Sequence, residues 1–264
     1  MRLKVSIEQH NNATGYQTVG TGKDLILVHG WGTHSAIWQD VVIQLSQSYC
    51  VHLVNLPGID DEPLIGEYSL PLIAEAILEK VPSNAIWCGW SLGGLIASYI
   101  ACEFPERVEK LIQVCTALKF VEEADWLGVK TEVFDTFSAG LNKQPEKTLN
   151  RFLSLQAMGS ETVKSDITNI KRLLKGDKSY HQSALLGGLT LLSHTDLRDK
   201  FKHLKVPCLS IFGAYDSLVP IDNAELIKSI NSNICSLIFE KSSHAPFISE
   251  VECFCEVLKD FIEA

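Results

Sequence analysis

Six short runs of nearly unbroken hydrophobicity punctuate the chain: DLILVHG (24–30), CVHLVNLPG (50–58), AIWCGWS (85–91), KLIQVCTA (110–117), PCLSIFG (207–213) and CSLIFEKSSH (235–244). Continuous apolar runs of this length fit strands buried on both faces better than half-exposed ones. Between most of them the apolar period lengthens to that of a helix, in SLPLIAEAILEKV (69–81), LGGLIASYIACEF (92–104), DNAELIKSI (222–230) and EVECFCEVLKDFIEA (250–264). Alternating strands and helices predict an α/β fold with a mostly parallel central sheet and helices on both faces. The opening segments LKVSIEQH and GYQTVGTG predict a leading antiparallel pair with a turn at Asn11-Asn12.

The rhythm breaks between Leu118 and Leu189, where the pattern is helical with few strand signals. No flexible linker marks either boundary. The expected organisation is therefore a core of residues 1–117 and 190–264 with a helical cap, 118–189, inserted between two strands.

Composition adds limits. With 46% hydrophobic and 21% charged residues, the chain can build a large core. A net charge of −9 argues against a general nucleic-acid binder. No signal-peptide core or membrane-length apolar run is visible, so a cytoplasmic protein is expected. Cys88, Cys102, Cys115 and Cys208 fall in apolar runs, and Cys253-Phe254-Cys255 has no second pair at metal spacing. Structural filler, with no metal and no organic cofactor, is the expectation. One segment runs against the overall charge. Residues 141–178 carry Lys143, Lys147, Arg151, Lys164, Lys171, Arg172, Lys175 and Lys178 against four acids, a local +4 while the remainder carries −13. It is either a solvated helix surface or a docking patch for an acidic partner.

The chemistry centres on WCGWSLGGLIAS (87–98). Ser91 lies in a G-x-S-x-G that follows a predicted buried strand and opens a predicted helix, the setting of a nucleophile elbow. Gly89 and Gly93 leave room where a sharp turn and a strand–helix crossing exclude side chains. A serine needs a base. Of eight histidines, His29, His52, His181, His194 and His203 fall in strands, helices or helix-rich segments, and His10 and His34 look like loop residues. His244 follows the last predicted strand, where a loop can hold it over the sheet's carboxyl edge. Asp216, after the preceding strand, is the preferred carboxylate. Asp222 is the rival, but reads as a helix N-cap. The oxyanion requires two N–H donors. Leu92, after the serine, supplies one, and Trp31 in HGWGTHSAIW the other, with Gly30 and Gly32 letting the backbone turn inward.

These motifs resemble those of the pimeloyl-[acyl-carrier protein] methyl ester esterases, an α/β-hydrolase family of biotin synthesis. LVHGWG, HLVNLPG, AIWCGWSLGGLIAS, PERVEKLI, RFLSLQAMGSET, LLGGL, TDLR, FGAYDSLVP and SSHAPFIS carry the resemblance, from about Gly15 onward. It implies a serine carboxylesterase with Ser91, Asp216 and His244 as triad. Trp31 and Leu92 match oxyanion and substrate positions, and Phe152, Leu153, Ser154, Leu155 and Gln156 match the cap segment lining the acyl channel. Lys147, Arg151 and Lys164 match basic positions that dock the acidic carrier protein; a fourth, usually Arg, is Thr168 here, with Lys171 and Arg172 nearby. Relatives carry D-x-P-G-x-G-x-S where this chain has NLPGIDDEP, with Asn55, Ile59 and Asp60 to Glu62 departing. A monomer that binds no nucleic acid or membrane is expected. Rival readings are a general short-chain carboxylesterase, a lyase or C–C hydrolase on the same fold, and a ligand receptor with an idle triad.

Overall fold

The computed structural model describes residues 10–12, 16–176 and 179–264, with the backbone alone for 10–12. Eight strands form one sheet: β1 (His10–Asn12), β2 (Tyr16–Val19), β3 (Lys23–Val28), β4 (Tyr49–Val54), β5 (Ala85–Trp90), β6 (Val108–Val114), β7 (Cys208–Gly213) and β8 (Cys235–Phe239). Their order is β1-β2-β4-β3-β5-β6-β7-β8. β1, β2 and β4 pair antiparallel, and every pairing from β4 through β8 is parallel. The six apolar runs became the six parallel strands. The Asn11-Asn12 turn did not form, because both residues pair within β1, opposite Gln17 and Tyr16. Residues 1–9, residues 13–15 and Lys178 lie outside the described residues.

The helices are α1 (Gln39–Leu45), α2 (Leu70–Leu78), α3 (Leu92–Glu103), α4 (Thr131–Lys143), α5 (Pro145–Leu155), α6 (Val163–Leu173), α7 (Gln182–His194), α8 (Arg198–Phe201), α9 (Asn223–Ile230), α10 (Pro246–Ser249) and α11 (Val251–Glu263). Two apolar layers sandwich the sheet. Ile73 and Ile77 of α2, Leu95 and Ile96 of α3 and Ile227 of α9 pack on Ile26, Val28 and Leu111. Val41, Val42 and Leu45 of α1 and Leu258 and Ile262 of α11 pack on Leu25, Leu27 and Ile112. The alternation of faces along β3 (Leu25 and Leu27 against Ile26 and Val28) is the strand period expressed as two cores.

The strand order reverses at β3, which has β4 on one side and β5 on the other. The loops after β3 and β5 therefore lie side by side at the carboxyl edge, where open parallel sheets hold their ligands. Between β6 and β7 the chain leaves the sheet and forms α4 through α8. The expected boundary at Leu189 falls inside α7, which continues to His194.

The divergent stretch after β4 is a closed turn tied to the segment before α7. Gly58 N–H bonds to the Glu62 carbonyl (3.2 Å), Asp60 N–H to the Ser179 carbonyl (2.7 Å) and His181 N–H to the Gly58 carbonyl (2.9 Å). Ile59 is buried, and Glu62 is buried against Lys80.

Candidate active site

Ser91 has φ 54° and ψ −119°, a backbone state that a residue with a side chain rarely holds. The surroundings over-determine it. Ser91 N–H continues the β5–β6 ladder by donating to the Val114 carbonyl (3.0 Å), and the Thr116 hydroxyl donates to the Ser91 carbonyl (2.8 Å). The flanking glycines are sterically required: a Cβ on Gly89 would stand 2.3 Å from the Gly93 carbonyl oxygen, and one on Gly93 2.4 Å from that of Val28. The sharp turn leaves Ser91 at the edge of the sheet and starts α3 at Leu92, whose N–H has no acceptor within its own helix.

His244 and Asp216 meet in the loops after β8 and β7. His244 Nδ1 lies 2.7 Å from Asp216 Oδ2, with both side chains buried. The other carboxylate oxygen, Oδ1, accepts the N–H groups of Leu218 (2.8 Å) and Val219 (3.0 Å). Asp216 is thus held on both oxygens. The carboxylate fixes the proton on Nδ1 and leaves Nε2 as a base. Nε2 is buried and has no hydrogen-bond partner among the described residues. Gly213 permits this approach, since a Cβ there would lie 1.9 Å from the Ser243 carbonyl oxygen. The His244 loop is pinned on both sides: its N–H donates to the Gln156 carbonyl (3.0 Å), and its carbonyl accepts Trp90 Nε1–H (2.6 Å). The rival Asp222 sits at the N-cap of α9 and makes no side-chain capping bond.

The loop after β3 is braced from beneath. His29 donates from Nδ1 to the Gly30 carbonyl (2.8 Å) and accepts the Leu56 N–H at Nε2 (3.1 Å). Burial pulls its pKa down to about 3, so the ring stays neutral and keeps Nε2 as an acceptor. Asn55 Oδ1 accepts the Ser35 N–H (2.7 Å), so the departing residue holds the same loop through its amide oxygen. Gly30 lies against Ser91, where a Cβ would meet Trp90 Cε3 at 2.9 Å and Ser91 Cβ at 3.2 Å. Trp31 donates from Nε1 to the Leu185 carbonyl of α7 (2.7 Å). Trp31 and Leu92 both press on Gly188, where a Cβ would come within 2.6 Å of the indole. LLGGL is therefore the seat of the Trp31 side chain.

Ser91 opens on a pocket whose other lining is wholly apolar, including Phe120, Phe134, Phe137, Phe152, Leu189 and Leu192. Its free volume is about 20 Å³, room for roughly one water. Phe152 packs edge-on against Trp31 (4.6 Å between centroids) and Phe137 (5.5 Å). Of the five cap residues expected at the acyl channel, Phe152 alone lines this pocket. Leu153 lines a separate groove of about 510 Å³ with Gly32, Leu149, Leu174, Tyr180 and Leu185. Ser154 bonds back to the Asn150 carbonyl, Leu155 is half-buried, and Gln156 holds the His244 loop.

The basic residues lie outside this wall. Lys147 and Arg151 are exposed on α5 and, with Lys143 of α4, border a shallow depression. Lys164 is exposed on α6. Thr168 turns its hydroxyl back to the Lys164 carbonyl, and Arg172 pairs with Asp40 (2.5 Å).

The sequence profile described as the alpha/beta hydrolase fold matches residues 24–251. The chain belongs to the alpha/beta-hydrolase family. It is similar to a pimeloyl-[acyl-carrier protein] methyl ester esterase of Vibrio vulnificus (strain CMCP6), with 41% identity over 93% of this chain and 96% of the relative. The protein of the same name from Aeromonas hydrophila subsp. hydrophila is 41% identical over 92% of this chain and 96% of its own length. The family resemblance read from the motifs thus holds across nearly the whole chain. An esterase from Exiguobacterium antarcticum superimposes with a TM-score of 0.82 at 21% identity, covering 94% of this hydrolase and 95% of the esterase. A bromoperoxidase from Bacillus anthracis gives 0.84 at 21%, with the same coverage. At that identity these two likenesses show the fold alone.

Proposed function

We propose that this alpha/beta hydrolase is a serine carboxylesterase that cleaves the methyl ester of pimeloyl-[acyl-carrier protein] methyl ester, giving pimeloyl-[acyl-carrier protein] and methanol for biotin synthesis. The curated relatives named for that ester support the substrate. The observation that carries the reading is that α5 has two working faces. Phe152 walls the apolar pocket at Ser91, while Lys147 and Arg151 face water on the same helix. The helical insertion between β6 and β7 acts as the cap, and the same element that encloses the ester presents positive charge to an acidic carrier.

The proposed mechanism is acyl transfer through Ser91. His244 Nε2 takes the Ser91 proton as Oγ attacks the ester carbonyl, and Asp216 stabilises the imidazolium. The Trp31 and Leu92 N–H groups receive the oxyanion. His244 returns the proton to the leaving methoxide, methanol departs, and an activated water hydrolyses the acyl-enzyme. No step needs a cofactor. The substrate also contains a thioester, a better acyl donor than a methyl ester. Selectivity must then come from position: docking on Lys147, Arg151 and Lys164 keeps the thioester outside and delivers the distal ester to Ser91. Lys171, one helical face with Lys164 and Thr168, supplies charge where Thr168 has none. The groove at Gly32 offers the carrier's arm a route, and the aromatic wall at Phe152 must part for the acyl chain, since the pocket volume holds no more than a water.

The experiment is the pair Lys147→Glu and Arg151→Glu, assayed on the carrier-bound methyl ester and on a small p-nitrophenyl ester. The carrier substrate should lose roughly tenfold or more in kcat/KM through KM, with the small ester unchanged. Equal losses on both would favour a general short-chain esterase.

A further inference from the structure

A second constellation of reactive side chains lies at the opposite end of the sheet from Ser91. Cys50 and His52 are two apart on β4 and therefore share a face. Asp24 of β3 stands opposite Cys50 in the parallel register. The Cys50 Sγ, a His52 ring nitrogen and an Asp24 carboxylate oxygen all lie within 4.8 Å of one another. Ligands of a tetrahedral zinc ion at 2.0–2.3 Å stand about 3.5 Å apart, so small side-chain shifts would bring all three onto one ion. Thiolate, imidazole and carboxylate together are the donor set of zinc-class ions, not of calcium or magnesium.

The surroundings support more than a chance cluster. His52 is buried, and its two nitrogens have different partners: Nε2 faces Asp24 Oδ1 at 2.6 Å, while Nδ1 meets the Tyr16 hydroxyl at 2.5 Å. A metal-binding imidazole needs this arrangement, one nitrogen for the ion and the other oriented by an oxygen. Asp24 is 37% exposed in its side chain, which leaves an entry path and a place for a water as fourth ligand. The other group of candidate donors, Cys115 with Asp216 and His244, belongs to the active site.

We propose that Asp24, Cys50 and His52 form a binding site for a zinc-class divalent cation, with Tyr16 as the residue that orients His52. On binding, the Cys50 thiol gives its proton to solvent, and His52 ligates through Nε2 while its Nδ1–H donates to Tyr16 Oη. One proton is released per ion. The site would clamp β3 to β4 without touching the esterase centre, and it does not depend on the esterase reading.

The test is cobalt(II) titration of the full-length protein after chelator treatment, followed by competition with zinc. One equivalent of cobalt should give intense visible bands and a thiolate-to-cobalt charge-transfer band. Cys50→Ser should abolish that band, and Asp24→Asn should weaken binding roughly tenfold or more. Tyr16→Phe should keep the band while weakening binding roughly ten- to hundredfold. Hydrolysis of a small ester, unchanged in all three, reports that each variant is folded. Absence of stoichiometric binding, a band that survives Cys50→Ser, or a band lost instead in Cys115→Ala would overturn the proposal.

Discussion

Acid should loosen the protein through His29, and the size of the effect can be worked from its bonds. The ring is 1% exposed and accepts the Leu56 N–H at Nε2, a role open only to neutral imidazole. Its pKa falls from 6.5 to about 3 on folding, driven by burial. A histidine with a depressed folded pKa contributes stability that is complete above its unfolded value. That stability is lost as the pH drops from 6.5 toward 3, because the unfolded chain takes up the proton first. Between pH 7 and pH 5 the linkage amounts to about 2 kcal/mol. Urea unfolding of wild type and His29→Gln at both pH values measures it. The variant is less stable throughout, but its loss between pH 7 and 5 should be smaller than that of wild type by about 2 kcal/mol. Groups common to both proteins cancel in the comparison. Equal losses would refute the neutral, accepting His29 and the bracing of the Trp31 loop that depends on it.

Two further perturbations follow from local geometry. Gly30→Ala drives a methyl into Trp90 and Ser91, so kcat for any ester should fall roughly a hundredfold while binding of the carrier protein is kept; steady-state kinetics beside carrier affinity checks the split. Asp166 is buried and accepts hydroxyl hydrogens from Ser160 (2.7 Å), Thr162 (2.9 Å) and Ser249 (2.8 Å), joining α6 to α10. Asp166→Ala leaves those donors without their acceptor and should cost about 2–4 kcal/mol in denaturant unfolding.

The parallel strands and the residues of the candidate site were legible because each reports itself locally. Buried parallel strands are apolar throughout, and Ser91, Asp216 and His244 each follow such a run. Features that depend on register or on chain pairs distant in sequence were not. α1 has only seven residues, and its buried Val41, Val42 and Leu45 give too short a period to separate it from a loop. The Gln113 side chain is buried between Ser98 Oγ and Ser210 Oγ (2.6 Å each), a polar chain that no single strand pattern reveals. Asn55 read as a departure from its family, yet folding gives it a partner twenty residues upstream in Ser35. Asp24 has no distinguishing signal within DLILVHG, and only the β3–β4 register sets it beside Cys50.

The central claim is that position, set by the basic cap, delivers one of two acyl bonds to Ser91. Mass spectrometry of pimeloyl-[acyl-carrier protein] methyl ester after incubation with the enzyme reads this directly. The account predicts a carrier that has lost the methyl group and kept its thioester, with no change under Ser91→Ala. A carrier stripped of its acyl chain, or a methyl ester untouched by the folded wild type, would contradict it.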